Sequence, residues 1–302
     1  MKRKARIVTF CTQGKDIQSS SENKTRLALM QQVAENLAQI PEWHPIDAVL
    51  FPGGFLENLP KTAADRFLAK IAAHSPDAHL VVGLDRKGEQ LAVAFNRHGA
   101  AGRARKIFPV DEDINGDLGT VMTLHEKDFS DKKRLITLAN GEKALLCVCY
   151  DMFGISDTLR SKQEKLRKAV LVRDANGNLS TSQDKKKTLS RAFDAHRALI
   201  EKEHPGLALA TIHRFEKQGR EIFWQRHGIA SASAALGGGL ALGAAHIETL
   251  PLNPSAMPLA SVGVPKNHLE SGMQRQAHTA KPLGEKIIHS DKGSGLLRLF
   301  QG

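Results

Sequence analysis

The sequence predicts an α/β fold of mixed sheets with helices outside, on three observations. Short apolar runs such as Ile7 to Cys11, Ile46 to Phe51 and His79 to Leu84 alternate with stretches whose apolar residues recur at helical spacing. Turn pairs at Lys87-Gly88 and His98-Gly99 join adjacent strand-like segments, which reads as an antiparallel meander within a mixed sheet. The run Ala144 to Cys149 stops abruptly at Tyr150-Asp151, and Gly154 marks a turn, so a buried strand passes through a sharp turn toward a helix.

The elements follow in order. Ala5 to Cys11 reads as an edge or first buried strand. Asn23 to Ile40 carries Leu27, Met30, Val33, Leu37 and Ile40 on one face of a helix that Pro41 ends. Ile46 to Phe51 is a strand that runs into Pro52-Gly53-Gly54-Phe55. Such a loop is either a plain turn or a site-forming edge; on the second reading Gly53 and Phe55 line the substrate. Lys61 to His74 is a second helix, and His79 to Leu84 and Gln90 to Phe95 are strands. Arg103 to Pro109 is a basic strand end, followed by the acidic loop Val110 to Asp113. Gly119 to His125 and Arg134 to Leu138 are strands, and Asn140-Gly141 is a hairpin turn into the Cys149 strand. Helices are expected over Ser156 to Leu171, Thr188 to Lys202 and Phe223 to Ala235. Strands are expected over Leu207 to Ile212, ending at His213, and over Leu240 to Ile247 as the last core strand. Leu259 to Val264 adds a terminal strand. The division expected is a 1–264 domain and a basic, weakly structured 265–302 arm that could latch an oligomer, with a short helix or strand at Gly295 to Phe300.

Composition sets bounds. The chain has 302 residues, 41% of them hydrophobic, enough for a large buried core. No apolar run is long enough to span a bilayer, and Ile7 to Cys11 is too short for a signal peptide's apolar region. Three cysteines cannot all pair, so a reduced, cytoplasmic setting is expected. The net charge of +11 invites nucleic acid as a partner. The basic residues are scattered, however, and aromatics, 5% of the chain, are not interleaved with them; a solvated basic surface is the better reading. Gly237-Gly238-Gly239 lacks the spacing of a phosphate-binding loop, so no cofactor is expected, and Asp111 with Asp113 lacks further metal-ligand spacing.

The reactive group is Cys149. A thiol at the last position of a buried strand is held rigidly at the mouth of a sheet. It attacks only as thiolate, so it needs a base or a cation nearby. Without such neighbours a cysteine in an apolar strand is a small core residue, the reading that suits Cys11 and Cys147.

Three segments in series resemble the nitrilase superfamily of carbon–nitrogen hydrolases. Val148-Cys149-Tyr150-Asp151 is similar to the family's nucleophile segment. Ala94 to Gly99 leading to Arg105-Lys106-Ile107 resembles its lysine segment, and His213 through Trp224-Gln225-Arg226 to Gly243-Ala244-Ala245-His246 resembles its final βαβ stretch. The resemblance covers about residues 5 to 264. It implies an αββα sandwich, a homo-oligomer, and a Glu-Lys-Cys catalytic set acting on a small amide or nitrile. By that resemblance Cys149 is the nucleophile and Lys106 stabilises the oxyanion, aided by the backbone N–H of Tyr150. His213 reads either as a group that orients substrate or substitutes as base, or as a satisfied buried histidine.

One departure stands out. The family's first motif ends in Pro-Glu, with the glutamate as base, and here Gly53 follows Pro52. Glu57 and Glu112 are the candidate replacements. The alternative is a catalytically impaired relative that binds a ligand or partner. Asp151 reads as structural, holding the bend by backbone hydrogen bonds.

Overall fold

The computed structural model describes residues 3–14, 20–86, 89–108, 123–155, 171–174, 176, 178–181, 185–215, 220–247, 258–264 and 279–302. Its elements are β1 (Arg6–Gln13), α1 (Ser20–Ala38), β2 (Ala48–Leu50), α2 (Lys61–Ile71), β3 (His79–Arg86), β4 (Glu89–Asn96), β5 (Gly99–Arg105), β6 (Thr123–His125), β7 (Leu135–Thr137) and β8 (Lys143–Val148). After a 3₁₀ bend over Cys149–Ile155 come β9 (Leu171–Arg173), β10 (Leu179–Thr181), α3 (Lys185–Glu203), β11 (Leu207–Phe215) and α4 (Arg220–Phe223). A π-helical stretch, Trp224–Ile229, joins α4 to α5 (Ala230–Ala235), and β12 (Leu240–Ile247), β13 (Ala260–Ser261), β14 (Gly284–Ser290) and β15 (Gly293–Gln301) complete the order.

The main sheet runs β5-β4-β3-β2-β1-β12-β11-β8-β7, with β13 on β12 and the β14–β15 hairpin on β1. β1, β2 and β3 pair in parallel, as do β8, β11 and β12, while β3-β4-β5 is the antiparallel meander. The sheet doubles back on itself: a Cβ placed at Gly102 of β5 would stand 2.5 Å from Ile136 of β7 and 3.2 Å from Leu146 of β8. Alternation along the strands builds the layers. Ile7 and Cys11 of β1 and Val81 of β3 join Ala92, Ala94 and Leu146 in the core between the two halves. Their neighbours Val8, Phe10, Leu80 and Val82 point the other way, onto Met30, Val33 and Leu37 of α1 and Phe67 of α2. This is the αββα sandwich with helices outside.

Of the two readings of Ala5 to Cys11 the buried strand holds, since β1 pairs with β2, β12 and β15. One expectation is corrected at the other end of the chain. β12 is not the last core strand, because β15 pairs antiparallel with β1 from Arg6↔Gln301 to Thr12↔Gly295. The weakly structured arm thus does not describe residues 284–301: Leu296, Leu297, Leu299 and Phe300 are buried. Gly295 is required where the strands cross, since a Cβ there would lie 2.1 Å from the Phe10 ring. Residues 156–170 of the helix expected over Ser156 to Leu171, and the acidic loop Val110 to Asp113, lie outside the described residues; Leu171 itself begins β9. No described helix is long and apolar enough to cross a membrane.

Candidate active site

β8 ends at Val148, and the next residue, Cys149, takes φ 48°, a left-handed conformation that is strained for a side chain with a Cβ. That bend is held by Asp151. Its Oδ1 accepts from the backbone N–H of Ile107 at 2.9 Å and of Phe108 at 3.1 Å. Its Oδ2 accepts from the N–H of Val148 at 3.3 Å and from Arg134 Nη1 at 3.2 Å. The structural role expected of Asp151 is the one its contacts describe. One carboxylate thereby ties the Cys149 bend to the backbone that follows Lys106.

Lys106 leaves the end of β5 with 1% of its surface exposed, and its Nζ donates to Gln90 Oε1 at 2.8 Å. Cys149 keeps 7% of its surface, whereas Cys11 keeps 1% and Cys147 none; Cys149 is the most reachable of the three thiols. Burial pushes the Cys149 thiol up. The Lys106 ammonium and then the His213 side chain outweigh burial and hold it below its ordinary value. The contrast is Cys147, two residues earlier, which burial and the Asp151 carboxylate push well up.

His213 lies within the irregularity of β11 between Thr211 and Arg214, where the pairing with β12 shifts register. A bulge re-aims a side chain. The ring's Nε2 meets Asp85 Oδ1 at 2.9 Å and Oδ2 at 3.1 Å. Its Nδ1 is buried and closes no ordinary hydrogen bond, although Cys149 acts on the ring. Burial lowers the imidazole, but Asp85 and then Cys149 raise it well above the usual histidine value. Asp85 sits directly across from Gln90 in the β3–β4 ladder, so adjacent strands anchor His213 and Lys106.

The Pro52–Leu56 loop closes over the same strands. Gly53 N–H donates to Ile212 O at 2.9 Å, and Gly83 N–H donates to Pro52 O at 3.1 Å. A Cβ at Gly53 would meet both His213 Nδ1 and Thr211 O at 2.9 Å. His246, fully buried on β12, is held well below its usual pKa by burial and by Arg26, whose Nη1 lies 3.5 Å from both ring nitrogens. A hydrogen bond with the Gly53 backbone partly opposes that shift.

The structure therefore brings Cys149, Lys106, His213 and Gly53 together. Tyr150, half-buried, stacks on Phe153 with ring centroids 4.9 Å apart. Phe55 is fully buried, packed against Phe10 and Phe51. Glu57 is fixed through its backbone N–H by Asn23 at 2.8 Å, and its carboxylate is not among the groups that shift Cys149. Glu112 lies outside the described residues. Sequence reasoning missed Asp85, Gln90, Arg134 and His246. Asp85 alone left a signal, as an acidic residue just past the apolar run of its strand.

No family model matches the chain, and no curated protein matches it. Solved structures do. A cysteine-to-alanine variant of the Nesterenkonia AN1 amidase from the nitrilase superfamily matches with a TM-score of 0.52 at 12% identity, over 100% of this chain and 92% of that one. The amidase from Nesterenkonia sp. matches at 0.50 and 14% identity, over 100% and 91%. A glutamate-to-glutamine, cysteine-to-alanine double variant in complex with acrylamide matches at 0.50 and 12% identity, over 99% and 90%. From its first strand to its last, this chain has the fold of the nitrilase-superfamily amidases.

Proposed function

We propose that the protein is a cysteine-dependent hydrolase of a non-peptide C–N bond, acting on a small carboxamide or nitrile. The observation that carries this reading is the Cys149 thiol on its left-handed bend, favoured as thiolate by Lys106 and His213 despite burial. A buried thiol that is merely packed is pushed up, as Cys11 and Cys147 are. The fold adds support, because an amidase sharing it was captured with acrylamide and with butyramide.

In this reading the Cys149 thiolate attacks the amide carbon and the carbonyl π pair moves onto oxygen. Lys106 and the backbone N–H of Tyr150 stabilise that oxyanion. Loss of the amine leaves a thioester, which water hydrolyses. A nitrile instead adds the thiolate, with a proton on nitrogen, to give a thioimidate; water adds to its carbon, ammonia leaves, and the same thioester results. The test is turnover of a panel of small carboxamides and nitriles by the Cys149→Ala variant. Turnover is expected to vanish; a variant that keeps full turnover ends the proposal.

A further inference from the structure

Resting on that reading, we infer that His213, oriented by Asp85, is the acid–base group of the site and occupies the space that a side chain at position 53 would otherwise fill. Three features of the geometry converge on it. His213 Nε2 is fixed by both oxygens of Asp85, at 2.9 and 3.1 Å, which leaves Nδ1 for the substrate side. Nδ1 is buried, closes no hydrogen bond of ordinary geometry and interacts with the Cys149 side chain, as a catalytic nitrogen does whose contact tightens only with substrate. A Cβ at residue 53 would stand 2.9 Å from Nδ1 and 3.0 Å from Cε1 of the same ring. A carboxylate reaching in from position 53 and this imidazole exclude one another, and the chain has glycine with imidazole.

The proton route balances. Cys149 gives its proton to His213 Nδ1, and thiolate and imidazolium form. The thiolate attacks the carbonyl carbon. The imidazolium then protonates the amide nitrogen, the C–N bond breaks, and ammonia or an amine departs. Neutral His213 takes a proton from water as the oxygen attacks the thioester, the C–S bond breaks, and the carboxylic acid leaves. Thiolate and imidazolium are restored, and water and amide have become acid and amine. His213 is the catalytic residue. Asp85 is a positioning residue that fixes the ring and favours its charged form. The charged and titrating groups around the ring are Asp85 from β3, Cys149 from the bend and His246 from β12. Lys106 acts on the same sulfur, and Arg26 lies behind His246.

The test follows alkylation of Cys149 by iodoacetamide against pH, read by mass spectrometry of the intact chain's peptides. In parallel, the pH profile of hydrolysis is taken on the amide that the panel identifies. His213→Gln is expected to move the alkylation midpoint up by at least about one unit, slow alkylation at pH 6.5 about tenfold, and lower turnover about 10²–10⁴-fold. Asp85→Asn is expected to keep some turnover and to shift the alkaline limb of the profile to lower pH, which loss of packing alone would not do. A folded His213→Gln protein with the wild-type midpoint and turnover overturns the inference. If that variant does not fold, an Asp85→Asn profile superimposable on the wild type overturns it. Turnover that survives Cys149→Ala strikes the hydrolase reading itself, a separate outcome from either.

Discussion

Asp151 and Arg134 face each other at 3.2 Å with both side chains fully buried. The same carboxylate collects the backbone N–H groups of Val148, Ile107 and Phe108, so it couples the nucleophile's bend to the lysine's strand end. Burial holds the Asp151 carboxyl above its ordinary value, and Arg134 with the N–H groups of Ile107 and Phe108 opposes that rise only in part. Removing the guanidinium strands a buried charge. Arg134→Met should cost about 3–5 kcal/mol in chemical denaturation. Because Lys106 precedes the two tethered N–H groups, the surviving folded fraction should also alkylate Cys149 more slowly at pH 7. An unchanged unfolding midpoint would refute the tether.

Gly53 has no room for a methyl group. The backbone carbonyl of Thr211 and the His213 ring both stand 2.9–3.0 Å from where its Cβ would lie, and the carbonyl cannot rotate away as a side chain could. Gly53→Ala should therefore destabilise by about 1–3 kcal/mol, as overpacking does, and should turn the His213 ring. The check is a thermal melt alongside amide turnover, with turnover falling more than stability alone explains. A variant with wild-type melting and turnover would show that the ring is not confined by residue 53.

How far the fold and site could be read in advance depended on range. Apolar alternation and turn pairs are local, and they located β3, β4, β8, β11 and both early helices nearly to their ends. Cys149 and Lys106 were legible because each belongs to a short motif. The β14–β15 hairpin was not, because Gly284 to Gln301 carries Lys286, Lys292 and Arg298 among its apolar residues and its partner is the first strand. Asp85 and His213 are 128 positions apart, and only the bulge in β11 aims one at the other. The exclusion between Gly53 and His213 is a distance in space that no spacing along the chain encodes.

His196 predicts the acid limb of stability. Its ring lies on α3 against Phe108, centroids 6.2 Å apart, with neither nitrogen in an ordinary hydrogen bond. Burial, then Arg134, lowers it to about 3. The folded state keeps it neutral while the unfolded chain titrates near its usual value of about 6.5. Unfolded chains therefore bind an extra proton below about pH 6.5, and stability falls with decreasing pH by up to about 1.4 kcal/mol per unit from this group. His196→Leu should flatten that limb by about one proton's slope in urea titrations between pH 4.5 and 6.5. An unaltered slope would place the effect elsewhere, in His44, His79 or His246, which burial also lowers.

Lys106→Met separates the two influences on the nucleophile. The substitution keeps the apolar stem and removes the ammonium, leaving Gln90 Oε1 without its 2.8 Å donor. For Cys149 the opposing effects are burial, which raises the thiol, and Lys106 followed by His213, which lower it. With the ammonium gone, burial gains, so the alkylation midpoint should move toward or above the ordinary thiol value of ~8.5. A thiolate favoured in the folded state contributes stability above the unfolded thiol's pKa and loses it as pH falls through the folded one. The variant should therefore lose most stability relative to wild type at mildly alkaline pH and least in acid. Turnover should fall by about 10²–10³, the range for removing an oxyanion donor, and raising pH should recover the alkylation rate but not the turnover. That split distinguishes a lysine that stabilises the oxyanion from one that only ionises the thiol. If alkaline pH restores turnover fully, Lys106 acts through the sulfur alone.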